Sequence, residues 1–537
     1  MFKLNLKIAL RNLFKNKVYA IINIGGLALG LTALVLLLLY INHEESYDTW
    51  NGDLKNVYKV REHHDFYTPD NKEHWQYKNE SRVASLLKNK IPQILYTTKV
   101  SEIYSDGYAV KLPGADPLLV KDFRDADTAF FKVFPYTFVY GDQQTALDKP
   151  NTAVLKQSAA IQLFGTDRVL GKTFKLVRWT GDEGTPMTVT GVIEDPKGPE
   201  SLSINAITHT GENDTDPEHL SNSTLRLVYA RIPPGANLDH INKLIQPAYI
   251  AYKETVFAAR GTTYEEHIKK GYKPGLKLMP IEEVHANPDF TASWLIKLKP
   301  VIAIALFLFL ISIINFINLA TAQSVQRAKE VGVKKVLGSY KAQLMVQFLI
   351  ESAIQSLAAL FACIILVELF LPAFNFQFGV LLSFWHNPAL PFILLQLIGV
   401  FIVVTLLAGL YPAWILSNYN PVAVLKGNYE NSLKGVFLRN ALVVFQFGIS
   451  VTFIIAIGIM HAQTTFLSNK DLGFDRNRLL NISTTYDDKF AGIVRRVPGV
   501  THVATSTQVM GNAFNVPEEI MYKGTAYKMN TVSVTMD

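Results

Sequence analysis

The sequence predicts a multi-pass α-helical membrane protein with a large α+β extracytoplasmic domain inserted between the first and second transmembrane helices. Three observations carry that prediction. Five apolar runs, at 18–41, 300–320, 344–371, 391–415 and 441–460, are long enough to cross a hydrocarbon core of about 30 Å. A stretch of mixed charge rich in turn signals, 42–294, separates the first run from the second. Lys and Arg collect in the connections on one side of the runs and are missing from the external turn 372–391, as the positive-inside rule requires.

Composition narrows the class. With 49% hydrophobic residues in 537, the chain suits a membrane protein with sizeable soluble parts better than one globular domain. The formal charge of +7 sits beside the apolar runs, where it orients them, so nucleic acid is not an expected partner. The single Cys363 lies inside an apolar run and cannot form an internal disulfide.

Residues 1–17 form a cytoplasmic amphipathic helix. Lys3, Lys7, Arg11 and Lys15 recur every four residues, while Phe2, Leu6, Leu10, Leu13 and Phe14 cover much of the rest. Such a helix lies along the inner leaflet with membrane lipids as its partner, its lysines towards anionic headgroups. The run 18–41 (TM1) is too long for a signal-peptide core and lacks a small-residue cleavage site. Gly26 and Gly30 make a GxxxG pair suited to helix packing. The preceding lysines place the N-terminus inside, so the next segment is outside.

Within 42–294, strands are expected at 57–61, 108–112, 118–123, 187–193 and 225–232, and helices at 81–90, 159–164 and 238–253. This is an α+β pattern in two lobes. TM2 (300–320) goes in, TM3 (344–371) comes out, TM4 (391–415) goes in and TM5 (441–460) comes out. Lys426, Lys434 and Arg439 mark the internal connection 417–440. Residues 461–537 read as the start of a second extracytoplasmic domain, incomplete, with strands at 479–483 and 532–535.

Several chemical motifs fail on spacing. Gly165 to Thr173 imitates a phosphate-binding loop but has five residues, not four, before Gly-Lys-Thr, and lies on the external side. It is assigned to a turn entering a strand at 173–177. His43-Glu44-Glu45 lacks the second histidine of a zinc-protease helix, and His63, His64, Asp65 and His74 have no ligand spacing, so no metal site is expected. No GxSxG elbow occurs, and the expected catalytic residues are none. In the runs, Glu351 and Glu368 are read as reaching headgroups or water from either end of TM3. Asn315, Asn318 and Gln396 are read as interhelical hydrogen-bonding groups.

The cytoplasmic segment 321–343 joins TM2 to TM3. Arg327, Lys329, Lys334, Lys335 and Lys341 force it out of the lipid, since each charge costs about 2.5–3.5 kcal/mol at a bilayer centre. Residues 326–337 suit a helix; Gly338 is placed to close it with positive φ, and Ser339 to cap the next. Glu330 can pair with Arg327 or Lys334, for only tenths of a kcal/mol. Docking to a partner therefore explains the charges better than stability does.

The stretch NFINLATAQSVQRAKEVGVKKVLGSYKAQLMVQFLIES, with Asn315, Asn318, Leu319, Ala322, Arg327, Lys329, Glu330, Gly332, Lys335 and Gly338, and Glu351 downstream, resembles the pattern of bacterial FtsX-like, MacB-type ABC transporter permeases. Lys334 and Ser339 depart from it, where Arg and Ala are usual. DADTAFFKVFPYTFVYGD, AAIQLFGTDRVLGKTF and VTGVIEDP look like the MacB-like periplasmic core domain, and LAGLYPAWILSNYNPVAVLKG and LRNALVVFQFGISVTFIIAIG resemble further permease segments.

The resemblance implies a MacB-like periplasmic core domain at 42–294 and an FtsX-like permease region at 295–460. The chain would be a non-catalytic membrane subunit in the bacterial inner membrane. A separate cytoplasmic ABC ATPase dimer would hydrolyse ATP, with no cofactor bound by this chain. ATPase coupling would fall to Arg327, Lys329, Glu330, Gly332, Lys335 and Gly338. A second permease half or a homodimer, and a periplasmic adaptor, are the other implied partners. Relatives with two halves carry four spans and one domain in each, so the chain reads as C-terminally truncated. Two roles stay open: a permease of the export or mechanotransmission type, and a scaffold or regulator that passes ATPase motion to an extracytoplasmic cell-envelope enzyme.

Overall fold

The computed structural model describes residues 2–15, 17–63, 75–101, 108–177, 184–210, 225–259, 261–269, 274–287, 294–326, 328–387, 389–417, 433–471, 479–482, 488–506, 517–522, 525–530 and 534–535. Two compact units divide the chain. One holds 1–47 and 285–470, the other 48–284 and 471–537.

The first unit begins with α1 (Phe2–Lys15) and α2 (Lys17–Glu45). Among the described side chains of α1, Ala9 is buried while Lys7, Arg11 and Lys15 are exposed, the polarity that four-residue spacing dictates. α2 runs beyond the expected 18–41 at both ends, because a hydropathy pattern marks the lipid-immersed turns and not the helix ends in the headgroup layer.

The second unit starts at Asp48 and holds two sheets in its first part. Its elements in order are β1 (Val57–His63), β2 (Trp75–Gln76), β3 (Asn79–Glu80), α3 (Arg82–Lys90), β4 (Tyr96–Val100), β5 (Tyr108–Lys111), β6 (Leu118–Val120) and β7 (Phe123–Asp125). Then come α4 (Phe130–Val133), β8 (Phe138–Gly141), β9 (Thr152–Lys156), α5 (Gln157–Phe164), β10 (Thr173–Val177), β11 (Thr185–Ile193), β12 (Ala206–His209) and β13 (Leu225–Arg231). The last are α6 (Leu238–Ala259), α7 (Tyr264–Lys269), β14 (Gly275–Pro280) and α8 (Ile281–Val284).

One sheet has the order β14-β1-β13-β3, with β2 beside β1 and β4 beside β13. α3 and α6 cover it, burying Val60, Val83, Leu87, Ile241, Ile245 and Leu278. The other has the order β6-β5-β10-β11-β9-β12-β7, with β8 on β11. Leu155, Ala160, Leu163, Phe174, Met187 and Val192 form its core with α5. The single strand expected at 118–123 is two, because Asp122 takes φ 58° and breaks the run. The phosphate-loop imitation lies between α5 and β10. Gly165 closes α5 at φ 73°, and Lys172-Thr173 lead into a strand, so no helix N-terminus follows them.

Charged networks fill places in this unit that apolar packing leaves. Lys253 on α6 bridges Glu62 of β1 at 2.7 Å and Glu80 of β3 at 3.1 Å, and Tyr249 and Tyr252 donate to the same carboxylates. Near the first residues of the unit, Glu200 takes a salt bridge from Lys156 and a hydrogen bond from Tyr136. The neighbouring backbone is fixed by Asp48, which accepts from Ser201 N–H at 3.0 Å and donates its own N–H to Pro199 O at 3.0 Å. Burial pushes the Glu200 carboxyl above its ordinary value, against the pull of Lys156.

The chain re-enters the first unit at His285 and forms α9 (Trp294–Gln326), α10 (Ala328–Val336), α11 (Lys341–Phe378), α12 (Leu390–Ser417) and α13 (Leu433–Asn469). Among the described residues, five helices are long and apolar enough to cross a membrane. All exceed the expected spans. The expected segment 321–343 is in fact the end of α9, all of α10 and the start of α11. Pro372, expected at an external turn, lies inside α11, which continues to Phe378. Intramembrane helices tolerate proline where neighbours re-satisfy the freed carbonyl. α2 is the most enclosed span, half of it buried, whereas none of the α13 window is. α13 meets α9 through Phe453 on Phe307, 5.7 Å between ring centroids.

After α13 the described residues include α14 (Asp488–Val494), β15 (Thr505–Ser506), β16 (Pro517–Tyr522), β17 (Thr525–Asn530) and β18 (Val534–Thr535). Residues 479–482, expected as a strand, carry none; 483 lies outside the described residues, as do 532 and 533 of the strand expected at 532–535. Lys426 and most of 417–440 lie outside them too, as do His64, Asp65 and His74.

Glu200→Ala strands Lys156 in a buried position, and the expected loss is about 3–5 kcal/mol of stability. Because folding raises the Glu200 value, the folded unit holds that proton to higher pH than the unfolded chain. The associated stability is complete below the unfolded value and is lost as pH rises through the folded one. Melting the intact chain across that range should show the slope, and Glu200→Ala should remove it.

Candidate functional site

The residues between α9 and α11 fold as a short, braced connector. α10 ends in a Schellman closure: Ser339 N–H reaches Lys334 O at 2.9 Å, Gly338 N–H reaches Lys335 O at 3.1 Å, and Gly338 sits at φ 94°. A side chain there would be strained, so glycine permits the sharp return towards the membrane. The next helix is capped differently from the sequence expectation. Tyr340, not Ser339, is the N-cap residue, and its N–H is taken by Gln343 Oε1 at 3.2 Å. The reach of the longer glutamine side chain replaces the hydroxyl.

The inner side of α10 is pinned. Val331 and Gly332 are buried, and Lys334 contacts Glu330 at 2.6 Å and Gln347 of α11 at 3.3 Å. Towards its C-terminal end and in the turn after it, large apolar side chains are exposed. Val336, Leu337 and Tyr340 are 65%, 80% and 74% exposed, with Val333 beside them. Of the residues singled out for coupling, Arg327 lies outside the described residues, Lys329 lies in α10, Glu330 is turned to Lys334, and Lys335 is half-buried. Val333, Val336 and Leu337, exposed beside Glu330, are residues the charge pattern drew attention away from. Val333, Val336 and Leu337 fall at i, i+3 and i+4 on one helical face and were readable on that basis, whereas Tyr340 lies past the reversal at Gly338.

The connector joins two helices of a bundle built round α2. Gly26 and Gly30 both face α9: a Cβ on Gly30 would overlap Ser312 Oγ, and one on Gly26 would lie 3.3 Å from Asn315 Nδ2. On its other side α2 meets α11, where Asn23 Nδ2 donates to Gln355 Oε1 at 2.8 Å. Leu27, Leu31, Val35, Phe316, Ala359, Cys363 and Val404 complete the apolar core. Some hydroxyls in the spans bond to their own helix, as Thr32 does to Ala28 O and Thr321 to Ile317 O. Glu351 is not at an accessible end but buried, beside Ser352, Gln355 and Ser356. Glu368 is exposed on the bundle surface. Gln396 Oε1 is buried without a hydrogen-bond partner, while Asn318 is partly buried.

At the far end of α2 the chain is clasped to its own return. Glu44 and His285 are paired at 2.5 Å, and Tyr47 stacks on the His285 ring with centroids 3.4 Å apart and planes at 6°. Among the described residues no group of three His, Cys, Asp or Glu side chains is placed to hold a metal ion.

These features define a polytopic membrane protein with an extracytoplasmic α+β domain between its first and second spans. The MacB-like periplasmic core domain family matches residues 20–248, and the FtsX-like permease C-terminal family matches 302–421. The chain is an FtsX-like permease with a MacB-like periplasmic core domain and belongs to the ABC transporter permease family. Three solved structures are similar to parts of it. A domain of a Porphyromonas gingivalis protein assigned as a permease is 20% identical, covers 42% of this chain and 90% of its own, and has a TM-score of 0.34. The periplasmic region of MacB from Actinobacillus actinomycetemcomitans is 15% identical, with coverage of 46% and 94% and a TM-score of 0.27. The extracellular domain of the noncanonic ABC-type transporter YknZ from Gram-positive bacteria is 10% identical, with coverage of 42% and 100% and a TM-score of 0.26. No curated protein matches the chain. The identification rests on the two family matches.

Gly30→Leu drives a side chain into Ser312 and is expected to cost about 1–3 kcal/mol. The cost should be read as a lower melting temperature in detergent. Gly25→Leu, at a position with open space around it, is the control and should melt near the parent value.

Proposed function

We propose that this chain is a mechanical permease subunit: α10 receives motion from a cytoplasmic ABC ATPase dimer, and the bundle passes it to the extracytoplasmic domain. The observation that carries this reading is the two-sided character of α10. Its exposed apolar face suits a groove on a partner, and its inner face is braced, so a push on Leu337 is delivered to α9 and α11 and not absorbed locally. α2 packs on both of those helices, and its chain leads directly into the domain that begins at Asp48, which makes it the natural output rod.

In this reading Lys329, Lys335 and Arg327 steer the acidic rim of the partner and the apolar stripe supplies the affinity. ATP is bound and hydrolysed on the partner, and this chain binds no cofactor. The N-terminus and α10 are cytoplasmic, the membrane is the bacterial inner membrane, and the open face of α13 meets a second permease half or a second copy. A periplasmic adaptor is the remaining candidate partner. The spans offer few ionisable groups, which favours work done outside the lipid on exported cargo or on a cell-envelope enzyme over passage of a solute through the bundle.

Leu337→Asp should abolish stimulation of the ATPase, with membrane insertion and expression unchanged. Glu330→Gln, which removes only an exposed pair worth tenths of a kcal/mol, should leave stimulation within about twofold. Full stimulation in Leu337→Asp would reject α10 as the contact. Orientation has its own check: Glu330→Cys and Lys149→Cys should react with an impermeant thiol reagent from opposite sides of the membrane.

A further inference from the structure

Between the end of α1, the start of α2 and the last turns of α9 lies a cleft of about 730 Å³. That is within the usual range of small-molecule sites, roughly 300–1,000 Å³. Ile22, Leu319 and Ala322 give it an apolar wall, and Phe14, Lys15 and Lys17 line it from the α1–α2 junction. Among the described lining residues there are two lysines and no carboxylate. Both lysines are exposed, and Lys7 and Arg11 continue the basic row along α1.

The position of the cleft is as telling as its lining. Lys17 is the first residue of the α2 span and Gln323 the last of the α9 span, so the cleft straddles the boundary between hydrocarbon and headgroups. An apolar wall there is in contact with lipid tails, and an ammonium group there is in contact with phosphates. A water-filled cleft would leave Ile22 and Leu319 hydrated at a depth where an acyl chain is available to cover them.

We propose that this cleft is a site for one anionic phospholipid, its phosphate held by Lys15 and Lys17 and an acyl chain laid between α2 and α9. The lipid is a wedge in the joint between the output rod and the helix that carries the connector. Ala322 and Gln323 are followed within one turn by Gln326 and then by α10, so any displacement of α10 towards the bundle presses on the occupant. The inference rests on the proposed cytoplasmic placement of α1, but the lipid measurement needs no ATPase, so its failure is distinct from failure of the coupling test.

The test is native mass spectrometry of the intact chain released from nanodiscs of equal parts phosphatidylglycerol and phosphatidylcholine. The parent chain should retain phosphatidylglycerol in preference, at about one molecule per chain. Lys15→Gln with Lys17→Gln should lower that preference by roughly tenfold, because each lysine near the surface contributes to anionic-lipid attraction. Ala322→Trp fills the cleft and should reduce retention of both lipids, with an unchanged melting temperature showing that the bundle is intact. Excess inorganic phosphate should displace nothing. Equal retention of the two lipids by the parent chain, an unaltered preference in the double lysine variant, or displacement by free phosphate would each overturn the proposal.

Discussion

The membrane unit depends on the close approach of α2 to α9 at Gly30. Apolar side chains gain little from leaving lipid for one another, so spans associate through close packing and through polar groups that would otherwise be stranded. Gly30 removes the spacer on one side of α2, and the Asn23–Gln355 hydrogen bond ties the other side to α11. Such bonds are worth about 0.6 kcal/mol on average in membranes, so their value here is register as much as strength. α2 is thus held by close contacts on both α9 and α11. That is the property a transmitting helix needs.

The connector and the core complement each other. α10 is short, and a nine-residue helix standing alone in water would be marginal. It persists because Val331 and Gly332 are buried and because Gly338 and Gln343 close the chain into α11. Bracing of this kind costs exposed surface elsewhere, and the surface it leaves out is apolar. In the extracytoplasmic domain the same economy is reversed: buried charges, with Lys253 between Glu62 and Glu80, hold α6 to the strands where purely apolar packing would not specify register.

Much of the architecture was legible in the sequence because its strongest signals are local. Strand β10 occupies the expected 173–177, α3 and α5 differ from expectation by one or two residues at their starts, and every expected span coincides with a helix. The span ends were not legible, since a helix entering the headgroup layer keeps its hydrogen bonds after its hydropathy has fallen. Asn23 and Gln355 are 332 residues apart, and nothing in either neighbourhood announces the other. The reading of Glu351 failed for a related reason: it is buried where α11 packs on other helices, and the sequence around it does not announce those neighbours. At the connector the basic residues dominated the pattern, and the apolar face at Val333, Val336 and Leu337 was in plain view but differently weighted.

The stacking of Tyr47 on His285 has an evolutionary corollary. The polypeptide departs for its insertion and comes back from it at adjacent points, so the insertion is grafted like a scion onto a single node. An insert whose two ends begin side by side can be enlarged, trimmed or exchanged for another without re-spacing the helices beneath. Lineages sharing this membrane frame are free to diversify the grafted part while the stock stays the same.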